Sequence, residues 1–171
     1  MIKLLALPLL AASLALTACG KPAVQGDKLV VAATAVPHAE ILEVVKPILA
    51  GQGVDLDVRV FNDYVQPNDQ LVQGQVDVNY FQTEPYLNAY NKDRGTALVT
   101  VTGVHIEPFG AYSRKHASLE ALPAGADVVI PNDPSNGGRA LILLAKHGLI
   151  ELKDPKSLTP TALDIVKNPK K

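Results

Sequence analysis

Three consecutive segments with different periodicities constrain this chain most. Leu29 to Ala33 is apolar without polar alternation, as in a strand buried on both faces of a parallel sheet. Ile41, Val44, Val45, Ile48 and Leu49 then fall at i, i+3, i+4, i+7 and i+8, one stripe of a helix. Pro47 lies inside that stripe and should kink or end its last turn, and Gly51 and Gly53 stop it. Val54 to Val60 alternates with period two, a strand with one face less buried. Strand, helix, strand implies a crossover and hence a parallel sheet.

The alternation continues. Pro67 to Gln73 reads as a short helix and Val76 to Phe81 as a third strand. A helix is expected from Thr83 or Glu84 to Arg94, with Pro85 in its first turn and Gly95 closing it. Leu98 to Thr102, Phe109 to Ser113 and Asp127 to Ile130 read as further strands, the last of them buried. Pro131 to Gly138 is rich in turn residues. Arg139 to His147 then reads as a buried helix stopped by Gly148, and Leu158 to Val166 as a short element of either type. The class is α/β.

The first residues have a different character. Lys3 is followed by an apolar run, Leu4 to Leu16, interrupted only by Ser13 and too short to span a bilayer. It has the length of a secretory signal core. Leu16-Thr17-Ala18-Cys19-Gly20 follows, resembling a bacterial lipobox, in which Cys19 is lipidated and becomes the new N-terminus. Cys19 is the only cysteine, so no internal disulfide can form. Lys21 to Asp27 reads as a polar tether. The formal net charge of −1, with a solvated Lys167, Lys170 and Lys171 tail, gives no basic face for nucleic acid.

In open α/β sheets ligands sit beyond the carboxyl ends of the strands. Five of the eight aromatics stand at two such ends, in Phe61 to Tyr64 and Tyr80 to Tyr86. They could wall a pocket for an apolar side chain or cap the core under the loops. At a third end, Ser135 or Asn136 would cap a helix, and Arg139 would lie in its first turn with a guanidinium able to grip a carboxylate. The alternative is a surface arginine that merely follows a turn. His38, His105, His116 and His147 do not pair at metal-ligand spacing, so no zinc site is expected. Ser135 lacks a Gly-x-Ser-x-Gly elbow, no phosphate-cradling loop is present, and Asp127, Asp133 and Glu107 read as solvated or capping groups. No catalytic constellation and no cofactor are expected.

Three motifs carry a resemblance. They are Phe61-Asn62-Asp63-Tyr64-Val65-Gln66-Pro67-Asn68, then Asn79-Tyr80-Phe81-Gln82-Thr83-Glu84-Pro85-Tyr86-Leu87, then Pro131-Asn132-Asp133-Pro134-Ser135-Asn136-Gly137-Gly138-Arg139-Ala140-Leu141. In these the chain resembles the MetQ/NlpA family, the methionine-binding lipoproteins of bacterial methionine ABC importers, from about Lys28 onward. The resemblance implies a periplasmic-binding-protein-like fold of two α/β lobes. It divides the chain into a signal segment (1–19), a tether (20–27), a first lobe (28–108) and an incomplete second lobe (109–171).

It also implies that Arg139 binds the methionine carboxylate, that Tyr64 and Phe81 flank the thioether, and that Tyr86 lies nearby. The implied partners are methionine, the membrane and ATPase subunits of the importer, and membrane lipid through Cys19. The implied place is the cell envelope, on the inner membrane facing the periplasm or on the outer membrane. Members commonly carry His where this chain has Thr83, which bears on the ligand and on L- against D-methionine. A receptor for another small amino acid or short peptide, and a lipid-anchored enzyme, are the competing classes. Because the resemblance places Lys171 inside the second lobe, the 171-residue form is expected to bind methionine weakly or not at all. Titration calorimetry checks this, and tight binding would overturn it.

Overall fold

The computed structural model describes residues 26–171; the signal segment, Cys19 and most of the tether lie outside them. Strand β1 (Asp27–Thr34) leads through a π turn (Ala35–Ala39) into helix α1 (Glu40–Ala50). Strand β2 (Val54–Phe61), helix α2 (Gln66–Val72), strand β3 (Val78–Tyr80) and helix α3 (Glu84–Arg94) follow. The sheet order is β2-β1-β3, and both pairings are parallel. Register runs from Asp27 opposite Val54 to Thr34 opposite Phe61, with Val31 to Ala33 opposite Val78 to Tyr80.

The unalternated run of β1 is accounted for by its central place. Val31, Ala32 and Ala33 are buried, as expected for a strand flanked by a neighbour on each side. The apolar stripe of α1 is covered only in part: Val44 and Ile48 remain exposed, because the sheet beneath is three strands wide. Pro47 does not end α1, which runs on to Ala50. The carbonyl it leaves without an amide donor belongs to Glu43, on the exposed side where water can replace the bond. Gly95 ends α3 with φ +65, a left-handed conformation that suits glycine.

Three expected strands are absent. Leu98 to Thr102, Phe109 to Ser113 and Asp127 to Ile130 belong to no helix or strand and pair with no strand among the described residues. Val99, Val101 and Val129 are 80%, 83% and 96% exposed, so the segment read as a buried strand is largely on the surface. Apolar patterning reports a preference for burial, whereas a strand also requires a neighbour's amides and carbonyls. Helix α4 (Pro134–Lys146) begins five residues before the expected position and is buried mainly along its first half. Strands β4 (Glu151–Leu152) and β5 (Ile165–Lys167) pair antiparallel, with a 3-10 turn (Ala162–Asp164) just before β5. The short element expected near Leu158 to Val166 is this turn and strand.

One buried amide network ties β3 to α2. Asn68, fully buried, donates from Nδ2 to Gln82 Oε1 at 2.9 Å. Its Oδ1 accepts from Asn79 Nδ2 and from Gln82 Nε2, both at 2.8 Å. Gln82 also donates to Asn79 Oδ1 at 3.0 Å, and Asn79 to the Pro67 carbonyl at 3.2 Å. Among the described residues no buried side-chain polar atom lacks a partner. Replacing Asn68 with Leu would leave two part-buried amides, Asn79 and Gln82, short of partners. Urea denaturation should show a loss of roughly 2–4 kcal/mol. Lys28→Ala, which removes a surface ion pair with Asp57 at 3.1 Å, should cost under about 1 kcal/mol.

Candidate functional site

The carboxyl ends of the parallel strands open into a cleft of about 980 Å³. Tyr64, Phe81, Tyr86 and Arg139 all line it. Phe61, the fifth aromatic of the two strand-end clusters, is not among the lining residues.

The three rings form one cluster. Centroids lie 5.4 Å apart for Tyr64 and Phe81, 5.6 Å for Tyr64 and Tyr86, and 6.0 Å for Phe81 and Tyr86, all edge to face. Phe81 and Tyr86 are buried, whereas Tyr64 is 42% exposed and forms the accessible surface of the cluster. Local bonds set Tyr64. Asp63 Oδ1 accepts from the Val65 and Gln66 amides, both at 2.8 Å, turning the chain around Tyr64. The Tyr86 hydroxyl donates to the Tyr64 carbonyl at 2.7 Å. Burial, followed by the negative charges of Glu107 and Asp133, raises the Tyr64 phenol above its ordinary value. Burial and Asp133 do the same for Tyr86. Both phenols are therefore neutral at physiological pH.

Arg139 lines the same cleft from α4. Its position differs from the sequence expectation: Asp133, not Ser135 or Asn136, is the N-cap, with Pro134 at N1, so Arg139 lies in the second turn. The Asp133 carboxylate accepts from the Asn136 amide at 2.8 Å. A negative side chain therefore already occupies the helix start, and the helix end is not a free anion receptor. Positive charge in the cleft comes from the side chain. Arg139 Nη1 donates to Asn136 Oδ1 at 3.0 Å, Nη2 donates to the Glu107 carbonyl at 3.3 Å, and the guanidinium lies 4.8 Å from the Phe109 centroid. Among the described residues no carboxylate forms an ion pair with it. Held by neutral groups, it keeps its charge and further N–H donors for an incoming anion.

Sequence spacing missed Phe109, Asn136 and the Glu107 carbonyl as supports of Arg139. Asn136 was recoverable: Asp133-Pro134 is an N-cap followed by proline at N1, and a helix starting there puts Asn136 and Arg139 on one face. The other two lie in an irregular segment that only the tertiary fold brings to the cleft.

The histidines also change standing. His38 and His105, unpaired by sequence spacing, have ring centroids 5.3 Å apart, and Glu107 joins them. His105 Nε2 lies 3.0 Å from Glu107 Oε1, and His38 Nε2 lies 3.8 Å from the same oxygen. The Tyr80 hydroxyl contacts His105 Nδ1 at 2.5 Å, and the Thr34 hydroxyl contacts His38 Nδ1 at 2.7 Å. Burial lowers the His38 pKa despite the opposing pull of Glu107. Glu107, read from sequence as solvated or capping, thus lies between His38 of the π turn, through its side chain, and Arg139 of α4, through its carbonyl.

An open parallel α/β sheet with a cleft at its carboxyl edge, faced by a charged side chain from a later helix, belongs to the periplasmic-binding-protein class. Residues 29–171 match the family model for NlpA lipoprotein, and the chain belongs to that family. It is 45% identical over 159 residues to a D-methionine-binding lipoprotein MetQ from Salmonella typhi, covering 92% of this chain and 59% of that protein. A nutrient-binding protein from Burkholderia cenocepacia, solved bound to methionine, superposes with a TM-score of 0.80 at 43% identity. That match covers 83% of this chain and 61% of the other. A lipoprotein from Ruminococcus gnavus gives a TM-score of 0.81 at 47% identity, over 85% and 60% of the two chains. The chain thus spans about three fifths of the length of these relatives.

Asp133→Ala should remove the cap and the 3.2 Å bond that Asn136 Nδ2 donates to Asp133 Oδ2, leaving Asn136 held only by Arg139. The expected loss is about 1 kcal/mol, read as a lower thermal unfolding midpoint.

Proposed function

We propose that the protein is a substrate-binding lipoprotein that captures methionine in this cleft for delivery to an ABC importer. The observation that carries the reading is Arg139, a guanidinium without a carboxylate partner among the described residues, facing an aromatic wall. An amino acid with an apolar side chain satisfies both: its carboxylate takes the free N–H donors and its side chain lies on Tyr64 over the buried Phe81 and Tyr86. The names of the relatives, and the methionine bound in the Burkholderia protein, support methionine among such ligands.

The remaining parts of the reading rest on the same family. Residues 28–108 form the first lobe and the chain from 109 contributes to the second. Capture proceeds by closure of the lobes on the ligand, which binds the closed state better because it touches both. No bond is made or broken, so the protein acts as a receptor and not as an enzyme. Lipid at Cys19 holds it in the cell envelope beside the transporter, raising its effective concentration there. Thr83 lines the cleft at the N-cap of α3, and its side chain makes no capping bond. It is therefore available to the ligand, and we assign to it an influence on the choice between L- and D-methionine.

The test is titration of the wild-type protein and Arg139→Gln with L- and D-methionine. Loss of the methionine methyl NMR signal registers even millimolar binding. Whatever affinity the wild type shows should fall roughly thirtyfold or more in Arg139→Gln, a cost of about 2–5 kcal/mol. Equal affinity in the two proteins would sink the role of Arg139. A panel in which another amino acid binds better would replace methionine as the ligand.

A further inference from the structure

The His38, His105 and Glu107 cluster has no part in the ligand contacts proposed above, and its donor atoms are close enough to share one ion. The three donor atoms lie within 4.8 Å of one another. Tetrahedral zinc with bonds of about 2.0–2.1 Å places its ligand atoms about 3.3–3.4 Å apart. The separations of Glu107 Oε1 from the two Nε2 atoms, 3.0 and 3.8 Å, bracket that value.

The orientation of the rings is the more specific feature. Metal-bound histidine usually has its other ring nitrogen held by a hydrogen bond, which fixes tautomer and direction. Here both Nδ1 atoms meet a hydroxyl, Thr34 for His38 and Tyr80 for His105. Both Nε2 atoms are thereby turned toward one carboxylate oxygen. Two imidazoles and a carboxylate suit zinc or a neighbouring divalent transition metal better than calcium or magnesium, which prefer all-oxygen shells. All three residues line the cleft, so a fourth position is open to water or to a donor atom of a ligand.

We propose that His38, His105 and Glu107 bind one divalent transition-metal ion of the zinc class, with Thr34 and Tyr80 orienting the two imidazoles. The site links the end of β1 to the segment that carries Glu107 and supports Arg139, so occupancy would fix that segment across the cleft. The assignment is independent of methionine, since it uses neither the aromatic cluster nor the guanidinium.

The test uses untagged protein titrated with cobalt(II), whose visible absorption reports a four-coordinate site, and with zinc(II) as competitor. One equivalent should bind with a tetrahedral spectrum. Glu107→Gln and His105→Ala should abolish it. Tyr80→Phe, which keeps all three ligands, should weaken it about 10–100-fold. His147→Ala, an exposed histidine elsewhere, should leave it unchanged. Circular dichroism checks that each variant folds. No spectrum from the wild type, or the same affinity in Tyr80→Phe and Glu107→Gln as in the wild type, would overturn the proposal. Methionine titration of the same samples separates its failure from that of the receptor reading.

Discussion

Asn68 carries no charge and never meets solvent, yet the cleft depends on it. Its carboxamide accepts two hydrogen bonds and donates one, tying the start of α2 to β3 and to the residue that follows Phe81. Leaving any of these amides unpaired inside the protein costs more than an average hydrogen bond contributes. The network therefore permits one arrangement of two strand ends on opposite sides of β1. Tyr64 precedes α2 and Phe81 follows β3, so the position of their rings follows from that arrangement. The aromatic cluster adds its own packing, but the amides set where it forms.

Electrostatics on the facing side follow a similar logic of avoided pairing. A buried or half-buried guanidinium normally finds a carboxylate. Here Asp133 is committed to the amide of Asn136, and the Glu107 side chain to the histidines. Arg139 is steadied by a side-chain amide, a backbone carbonyl and a phenyl face, none of which neutralises it. A single segment, His105 to Phe109, supplies most of these constraints, although it belongs to no helix or strand. An irregular segment can do this because its backbone carbonyls are not committed to a ladder.

The reach of sequence patterning differs between the two halves of the chain. From Asp27 to Arg94 the elements and their order were legible, because each has a period of its own and ends at Gly51, Gly95 or a proline-marked start. Beyond Gly95 the apolar segments near Leu98, Phe109 and Asp127 have strand-like composition but no ladder among the described residues. Composition describes a segment singly, while a strand is a property of two segments. The start of α4 was misplaced for a local reason: Gly137 and Gly138 look like turn residues, yet they sit inside the helix where bulk would collide. A side chain on Gly138 would come within 3.0 Å of Thr159 and 3.1 Å of Pro160. Glycine there serves close packing, not a turn.

By itself, the sequence determined the α/β class, the parallel βαβ beginning, and the placing of Tyr64, Phe81, Tyr86 and Arg139 toward the strand ends. Those properties follow from periodicity and from motifs contiguous along the chain. Tertiary structure alone decided that Phe109 and the Glu107 carbonyl support Arg139, and that two histidines 67 positions apart approach one carboxylate. Such contacts depend on where an irregular segment crosses the sheet edge, and no residue spacing encodes that path. It is set by the summed packing and hydrogen bonding of the whole fold.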